Sequence, residues 1–333
     1  MFEIMSDFYN NFPFIILIIG FVLLIKWADL LVDWASSIAK KFWISGLVIG
    51  LTIVAFGTSA PELVVNVMSA FEWKTAMAIW NIVWSNISNI FLILWITAIM
   101  YPIAMPKSTV KIEIPFMIFT SALLLFLLID WILSKNDAGI LGLFFLIFLY
   151  YTYIVATKNK KENKSIDKQK NEDLNIESMS NIKGIIFIII GLVGLIYGWN
   201  FIVDSATSIA KSFGWSDAFI GLTIVAIWTS LPELAASVTA ALKKETDMAI
   251  WWIVWSNIFN ILWILPATAF VQPLTGYEWM NFDLTIELIA TALILLFAFT
   301  YKKYFLWKIE WIILLSSYIA FLLYQSYKVG MFS

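Results

Sequence analysis

The feature that most constrains this chain is an internal repeat. When the 333-residue sequence is shifted by 171 residues, it aligns with itself without a gap from Gly20 to at least Asn89. The clearest matches are "GLTIVAFGTSAPEL" (50–63) with "GLTIVAIWTSLPEL" (221–234) and "IVWSNISNI" (82–90) with "IVWSNIFNI" (253–261). Self-similarity at a fixed spacing marks a structural unit that is used more than once. We therefore expect the two halves of the chain to fold alike.

The composition places both halves in a membrane. Hydrophobic residues make up 62% of the chain and charged residues 13%, whereas about 25% of a soluble domain is charged. Apolar runs of bilayer-spanning length, about 20 residues, recur throughout, and the alternating pattern of a membrane β-barrel is absent. The sequence predicts an all-α polytopic membrane protein with ten spans: 13–38, 46–71, 76–100, 112–132, 138–156, 184–209, 217–242, 247–271, 280–300 and 305–326.

The number of spans in each half sets their relative orientation. Residues 1–156 and 184–333 each hold five predicted spans, and the polar, lysine-rich segment 157–183 between them reads as a flexible linker loop. Five is an odd number, so the second half enters the bilayer upside down relative to the first. Such inverted repeats are the architecture of many secondary transporters, whose substrate sites lie at the midplane between the halves.

The distribution of lysine predicts the orientation in the membrane. With the amino terminus outside, the cytoplasmic loops hold fifteen lysines and the outer segments four, as the positive-inside rule requires. We therefore expect both termini to lie outside a plasma (inner) membrane and the linker to lie inside. The acidic start, "MFEIMSDFYNNF", lacks the basic region of a signal peptide, so we expect the first span to be retained.

The residue types that are missing exclude several kinds of chemistry. The chain contains no cysteine and no histidine, and all 21 of its basic residues are lysine. Disulfides, thiol catalysis and metal sites built from thiolate or imidazole are therefore excluded. We expect no resident cofactor, no nucleic-acid partner and a protein that functions as a monomer in the lipid bilayer.

Two acidic residues lie deep inside the repeated spans. Glu62 and Glu233 occupy matching positions, and a charge at the bilayer centre costs at least a few kcal/mol, so each needs a cation, a proton or a strong donor. Each follows a proline, which removes a backbone N–H and frees a carbonyl one turn earlier, around Ala55 and Ala226. The sequence favours a cation site over a protonated structural glutamate.

Neutral oxygen ligands surround these carboxylates in the sequence. Hydroxyl and amide side chains recur one turn away or at helical spacing in the next span: Thr58, Ser59, Ser85 and Asn89 in the first half, and Thr229, Ser230, Ser256 and Asn260 in the second. Ca²⁺ takes six to eight oxygen ligands in flexible geometry. Subsets of the same oxygens suit Na⁺.

These motifs resemble those of a known family. "GTSAPE" and "WTSLPE", with "WSNISN" and "WSNIFN", are similar to the two α-repeats of the cation/Ca²⁺ exchanger superfamily, and most of all to prokaryotic Na⁺/Ca²⁺ exchangers. The resemblance implies that the glutamate of each repeat binds Ca²⁺ and that the Thr, Ser, Asn and carbonyl positions complete the Ca²⁺ and Na⁺ sites. It also implies that the first and sixth spans, which carry Asp33 and Asp204, slide across a fixed core.

The coupling ion stays open at the sequence level. Some Na⁺/Ca²⁺ exchangers have Asp where this chain has Asn260. The two glutamates give a formal charge of −2, which one Ca²⁺ or two protons neutralise and three Na⁺ exceed. Ca²⁺/Na⁺ antiport is the leading prediction, with Ca²⁺/H⁺ or K⁺-dependent antiport as alternatives within transport. A membrane-embedded acid–base enzyme and a cation channel are the alternatives from other classes, and we expect no enzyme.

Tryptophan stands where glycine is expected at several repeated positions. The chain has 18 tryptophans and 14 glycines, although membrane helices are usually rich in glycine. Our hypothesis is that UGA codons, read as glycine in some genetic codes, are rendered here as tryptophan. Interfacial positions near span ends, such as Trp131, Trp279 and Trp307, suit genuine tryptophan. The motif positions concerned are Trp27, Trp43, Trp80, Trp84, Trp228, Trp251 and Trp255.

Overall fold

A computed structural model describes residues 12–42, 58–167, 181–212, 230–300 and 303–328. The elements of the first half are α1 (Pro13–Phe42), α2 (Ala60–Phe71), α3 (Thr75–Ser88), π1 (Asn89–Ile93), α4 (Leu94–Met100), β1 (Ile103–Ala104), π2 (Thr109–Glu113), α5 (Ile114–Leu127), β2 (Ile132–Leu133) and α6 (Lys135–Asp167). The second half comprises α7 (Asn181–Ser212), α8 (Leu231–Leu242), α9 (Thr246–Phe259), π3 (Asn260–Ile264), α10 (Leu265–Val271), β3 (Leu274–Thr275), α11 (Met280–Phe297), β4 (Phe305–Leu306) and α12 (Lys308–Lys328).

The helical membrane class is confirmed. Six helical segments of the described residues are long and apolar enough to cross a bilayer: Pro13–Leu30, Thr75–Met100, Thr109–Leu127, Lys135–Val155, Thr246–Val271 and Met280–Phe297. Three shorter apolar helices span Pro61–Phe71, Leu231–Leu242 and Glu310–Gln325. The helix α6 differs from expectation at its end, because it continues to Asp167, well into the segment predicted as a linker.

Two pairs of very short antiparallel strands join the two halves. Ile103 of β1 pairs with Leu306 of β4, and Ile132 of β2 pairs with Thr275 of β3. The strands β1 and β2 flank opposite ends of the segment that contains α5. The loops of the two halves therefore meet at both ends of the helical core.

The motif helices α2 and α8 begin in the same way. Ser59 and Ser230 precede the first turns with nearly equal backbone angles, φ −85° and ψ 10° or 3°. Pro61 and Pro232 then occupy the opening turn, where a missing N–H costs no helical hydrogen bond. Residues 43–57 and 213–229, which complete the predicted spans, lie outside the described residues.

The helices α3 and α9 form the centre of the protein. Their residues are almost all buried, and each runs into a π-helical segment that begins at the equivalent asparagine, Asn89 or Asn260. Single π-helical turns inside α-helices are frequent at functional sites. Outside this core, α1 packs along α7, where Gly198 lets the backbone of Leu24 approach closely.

Three tryptophans have left-handed backbones. Trp73, Trp131 and Trp279 have φ values of 61°, 68° and 72°. Residues other than glycine rarely adopt this region, and glycine is the usual residue in it after a helix end. Trp131 and Trp279 were expected to be genuine interfacial tryptophans, but their backbone conformation is the one that favours glycine.

Candidate cation site

The structure brings most of the predicted ligands together in the core. The helices α2 and α3 and the first residue of π1 supply one set, and α8, α9 and π3 supply the other. The buried predicted ligands are Thr58, Ser59, Glu62, Ser85, Asn89, Ser230, Glu233, Ser256 and Asn260. Ala55, Ala226 and Thr229 lie outside the described residues, so their predicted contribution stays a prediction.

Serines connect the two halves through the carboxyl groups. Ser59 Oγ donates to Oε1 of Glu233 at 3.1 Å and lies 3.3 Å from Ser256 Oγ. Within the first half, Ser85 Oγ donates to Oε1 of Glu62 at 3.2 Å, and it lies 3.0 Å from Ser230 Oγ of the second half. The serine–serine contacts therefore repeat with the two halves exchanged.

Further donors reach the Glu233 carboxyl group. Ser256 Oγ donates to its Oε1 at 3.4 Å, and Thr58 of the other half also hydrogen-bonds this carboxyl group. Glu233 is thus held by hydroxyl groups from both halves. Its Oε1 is well supplied with donors, and this fixes the direction in which Oε2 points.

The two predicted asparagines contact the opposite half in the same crossed manner. Asn89 Nδ2 donates to Ser256 Oγ at 3.2 Å and to Asn257 Oδ1 at 2.9 Å. Asn260 Nδ2 donates to Ser85 Oγ at 3.4 Å and to Asn86 Oδ1 at 3.0 Å. The N–H groups of both side-chain amides therefore donate to oxygen atoms of the protein.

This arrangement leaves electron-rich oxygens unmatched. Glu233 Oε2, Asn89 Oδ1 and Asn260 Oδ1 are buried and have no hydrogen-bond donor among the described residues. Buried acceptors without partners are costly and rare in folded proteins. A hard cation satisfies such oxygens, because Ca²⁺ and Na⁺ are bound by carboxylate, carbonyl and hydroxyl oxygens.

Any cation bound here would take most of its ligands from neutral oxygens. Within the ranges that the structure describes, no group of three or more Asp, Glu, His or Cys side chains is arranged to hold a metal ion. Glu62 and Glu233 are therefore the acidic members of the predicted ligand set, and the serine and asparagine oxygens account for the rest.

The sequence analysis missed a second pair of asparagines and a third carboxylate. Asn86 Nδ2 contacts the backbone oxygen of Asn257 at 3.4 Å, and Asn257 Nδ2 donates to that of Asn86 at 3.2 Å. Glu287 Oε1 accepts from Asn86 Nδ2 at 2.7 Å and from Ser121 Oγ at 3.2 Å. The signal was available: Glu287 is an acid within an apolar span, which marks a candidate functional residue.

Indole rings crowd the helices that carry the site. Trp80 and Trp84 pack together with ring centroids 4.8 Å apart, and Trp251 and Trp255 are also buried. The indole N–H groups of Trp251 and Trp255 have no acceptor among the described residues, although buried tryptophan usually finds one. These observations agree with the glycine hypothesis. Trp43 and Trp228 lie outside the described residues.

The family resemblance expects α1 and α7, which carry Asp33 and Asp204, to slide. Asp204 on α7 is exposed, and the side chain of Asp33 lies outside the part of the chain that the structure describes. The movement of these helices stays a prediction.

Buried carboxyl groups, and buried oxygens that lack a hydrogen-bond donor, lie between two equivalent halves of a helical membrane protein. This combination of features is typical of a cation transporter. The sequence model of the sodium/calcium exchanger protein family matches residues 12–158 and 183–327. The chain therefore belongs to the sodium/calcium exchanger protein family.

Named relatives and solved structures are similar over most of the chain. The sodium/calcium exchanger MaX1 of Methanosarcina acetivorans is 30% identical, with 94% of this chain and 98% of that protein covered. The putative antiporter CaxA of Alkalimonas amylolytica is 39% identical over 260 residues, which cover 78% of this chain and 81% of CaxA. A structure of the sodium-calcium exchanger NCX_Mj soaked with Na⁺ and Sr²⁺ superposes with a TM-score of 0.79 at 29% identity and covers 93% of this chain and 97% of NCX_Mj.

Proposed function

We propose that the protein is a secondary active antiporter that exchanges Ca²⁺ for Na⁺ by alternating access. The observation that carries the proposal is the crossed network. Two buried glutamates, one from each half, accept hydrogen bonds from serines, while Glu233 Oε2, Asn89 Oδ1 and Asn260 Oδ1 have no donor among the described residues. Membership of an exchanger family, rather than an enzyme family, agrees with transport.

The predicted inverted topology of ten spans is part of this proposal. The strand pairs support it: β1 and β3 occupy equivalent places in the two halves, yet β1 pairs with β4, the counterpart of β2. Equivalent loops then lie at opposite ends of the core, as antiparallel halves require. We further propose a monomer in the plasma membrane with both termini outside, as the lysine distribution predicts.

The proposed ligand set combines the residues of this network with Ala55, Ala226 and Thr229, which the sequence predicts and which lie outside the described residues. Glu62 and Glu233 supply the charge that binds Ca²⁺, and the side-chain oxygens of Thr58, Ser59, Thr229, Ser230, Ser85, Asn89, Ser256 and Asn260 complete the sites together with the carbonyl groups of Ala55 and Ala226. Na⁺ occupies subsets of these oxygens, which makes Ca²⁺ and Na⁺ binding mutually exclusive. The relative named a sodium/calcium exchanger supports Na⁺ as the coupling ion.

Flux into proteoliposomes tests the proposal and separates the coupling ions. Uptake of radioactive Ca²⁺ is measured with Na⁺, H⁺ and K⁺ gradients imposed in turn, using the protein with all of its tryptophans and a variant with glycine at the seven motif tryptophans. We expect an outward Na⁺ gradient to drive uptake and a pH gradient to fail. Uptake driven by the pH gradient alone assigns Ca²⁺/H⁺ antiport, and a requirement for K⁺ with Na⁺ assigns K⁺-dependent exchange. A Ca²⁺ flux that does not depend on any of the three imposed gradients contradicts antiport.

A further inference from the structure

The acidic side chains behind the ion site differ between the two halves. The helices α5 and α11 are equivalent, and their buried positions recur with an offset of 170 residues: Ile114, Met117, Ser121 and Leu124 match Leu284, Glu287, Thr291 and Ile294. Glu287 therefore stands where the first half has methionine. Both side chains are fully buried, so the fold does not need a carboxyl group at this position.

The hydrogen bonds of Glu287 satisfy only one of its oxygens. Asn86 Nδ2 and Ser121 Oγ, both from the first half, donate to Oε1. Oε2 is buried and has no hydrogen-bond partner among the described residues. The ion pairs found in that part of the chain join Lys74 to Glu72, Lys243 to Asp29, and Lys328 to Asp283. None of them involves Glu287, and a buried carboxylate needs a compensating positive charge.

Asp283, the other buried acid of α11, is already supplied with hydrogen-bond donors. Asp283, one turn earlier on α11, accepts from Tyr277 at 3.0 Å and from Gln325 at 2.6 Å. Burial and the nearby carboxyl groups of Asp283 and Glu287 raise the pKa of Tyr277 well above its ordinary value, so its hydroxyl stays protonated as a donor. Glu287 is thus the group in this region whose charge lacks a balance.

Asn86 links Glu287 to the ion site. Its Nδ2 donates to Glu287, and its Oδ1 accepts from Asn260 Nδ2 at 3.0 Å. Asn260 in turn reaches Ser85 at 3.4 Å, and Ser85 donates to Glu62. One asparagine side chain therefore separates Glu287 from a predicted ligand. Glu287 does not form a three-carboxylate group with Glu62 and Glu233, and Asn86 is the side chain that connects it to the proposed ion site.

We propose that Glu287 is a third ion-coupling carboxylate, whose negative charge is balanced by a monovalent cation exchanged against Ca²⁺. The inference rests on the proposed antiport. It raises the formal negative charge of the region from two to three. The two glutamates alone are neutralised by one Ca²⁺, and Glu287 adds room for one more positive charge, either Na⁺ or a proton.

The test is the number of monovalent cations moved per Ca²⁺. Reconstituted wild type and Glu287→Gln are compared by the reversal potential of Ca²⁺ flux, with the Na⁺ gradient varied at fixed pH and the pH gradient varied at fixed Na⁺. We expect Glu287→Gln to exchange one fewer monovalent cation per Ca²⁺, and the gradient whose effect weakens identifies the ion. Glu113→Gln, which alters the equivalent buried acid of Asp283, is the matched control and is expected to keep the wild-type ratio.

A double variant separates a charge from a structural role. In Glu287→Gln with Asn260→Asp, the chain of hydrogen bonds can reverse: the new glutamine amide donates to Asn86 Oδ1, and Asn86 Nδ2 donates to the new aspartate. The third charge returns on the other side of Asn86, so we expect the wild-type ratio to return, even if Glu287→Gln alone assembles poorly. An unchanged ratio in Glu287→Gln, or a double variant that folds without restoring the ratio, overturns the inference. Wild-type protein without gradient-driven flux instead contradicts the proposed antiport.

Discussion

The two halves of this protein make nearly identical contacts at the proposed ion site and differ on α5 and α11. Ser59 and Ser230, Ser85 and Ser256, and the two asparagines of the network make matching contacts with the halves exchanged. On α5 and α11, by contrast, Met117 faces the core where Glu287 does in the other half. Symmetry is thus retained among the proposed ligands, and it is lost at the position of Glu287, the proposed third carboxylate.

The largest expected effect concerns Glu62 and Glu233, which occupy equivalent positions in the two halves. Glu62→Gln and Glu233→Gln each remove a charge from the proposed Ca²⁺ site, and breaking a buried charge interaction costs about 3–5 kcal/mol, or at least about a hundredfold in affinity. We expect gradient-driven Ca²⁺ uptake to fall to the level of empty liposomes in both variants. Glu113→Gln serves as the control. Transport that survives in both glutamate variants contradicts their role, and survival in only one breaks the functional equivalence of the halves.

The next prediction compares Asn86 with Asn257. Each asparagine donates to the backbone oxygen of the other, across the contact between the two halves. Asn86 also donates to Glu287 at 2.7 Å. Asn86→Ala leaves that carboxyl group without one of its two donors, which costs about 1.5–3 kcal/mol when the group is charged. We expect a larger loss of thermal stability in detergent and of Ca²⁺ flux for Asn86→Ala than for Asn257→Ala.

Equal losses in the two alanine variants would contradict a special role for the bond to Glu287. A sharper form combines each alanine with Glu287→Gln. The difference between the two asparagine variants should then shrink, because the buried carboxylate that needs the donor has been removed.

The repeat explains what the sequence could predict about the site. Glu62 and Glu233 stand out as acids in apolar spans, and the serines and asparagines recur at matching spacing. Because these residues lie on helices with regular geometry, their gathering in one region follows from the predicted helices. The left-handed backbones of Trp73, Trp131 and Trp279 could not be read from the sequence, because they depend on the turns that connect the helices and strands.

The crossing of the contacts could not be predicted from local sequence patterns. Ser59 donates to Glu233 of the other half, and only the rotation of packed helices selects that partner. Glu287 escaped notice because a search for repeated residues passes over an acid that occurs once. The end of α6 at Asp167 was missed for a different reason, since a lysine-rich polar segment can continue a helix beyond the bilayer.

A third prediction concerns Trp27, whose repeat partner is Gly198. A Cβ atom added to Gly194 would overlap the indole ring of Trp27, and overpacking of this kind costs about 1–3 kcal/mol. Gly194→Ala should therefore lower the thermal stability of the protein with Trp27 and be tolerated with Trp27→Gly. Gly142→Ala, where nothing lies within 4 Å of the added atom, is the control.

The mass of the protein from its natural source settles the identity of these residues. Each tryptophan that is glycine in the living protein lowers the intact mass by the difference between the two residues, and peptide sequencing assigns the positions. We expect glycine at the motif positions and at Trp73, Trp131 and Trp279, whose φ values favour it. An unshifted mass contradicts the hypothesis, and the contrast between Trp27 and Gly198 would then be a genuine difference between the halves.

The smallest expected effect lies at the ends of α2 and α8. Glu72 and Lys243 occupy equivalent places, but Glu72 pairs with Lys74 in its own loop, whereas Lys243 Nζ lies 2.7 Å from Asp29 Oδ1 on α1. In the second half, an ion pair thus connects the end of α8 to α1, one of the two helices that the family resemblance expects to slide. A partly exposed ion pair contributes about 0–1 kcal/mol, so Lys243→Met should change the unfolding temperature little.

If α1 slides against α8, removing this ion pair should change the rate of Ca²⁺ exchange at low ionic strength while the Ca²⁺ affinity stays constant. The control variant Lys74→Met should change neither the rate nor the affinity. An equal effect of both variants, or an altered Ca²⁺ affinity, would contradict the idea that the Lys243–Asp29 ion pair joins a moving helix to a fixed one.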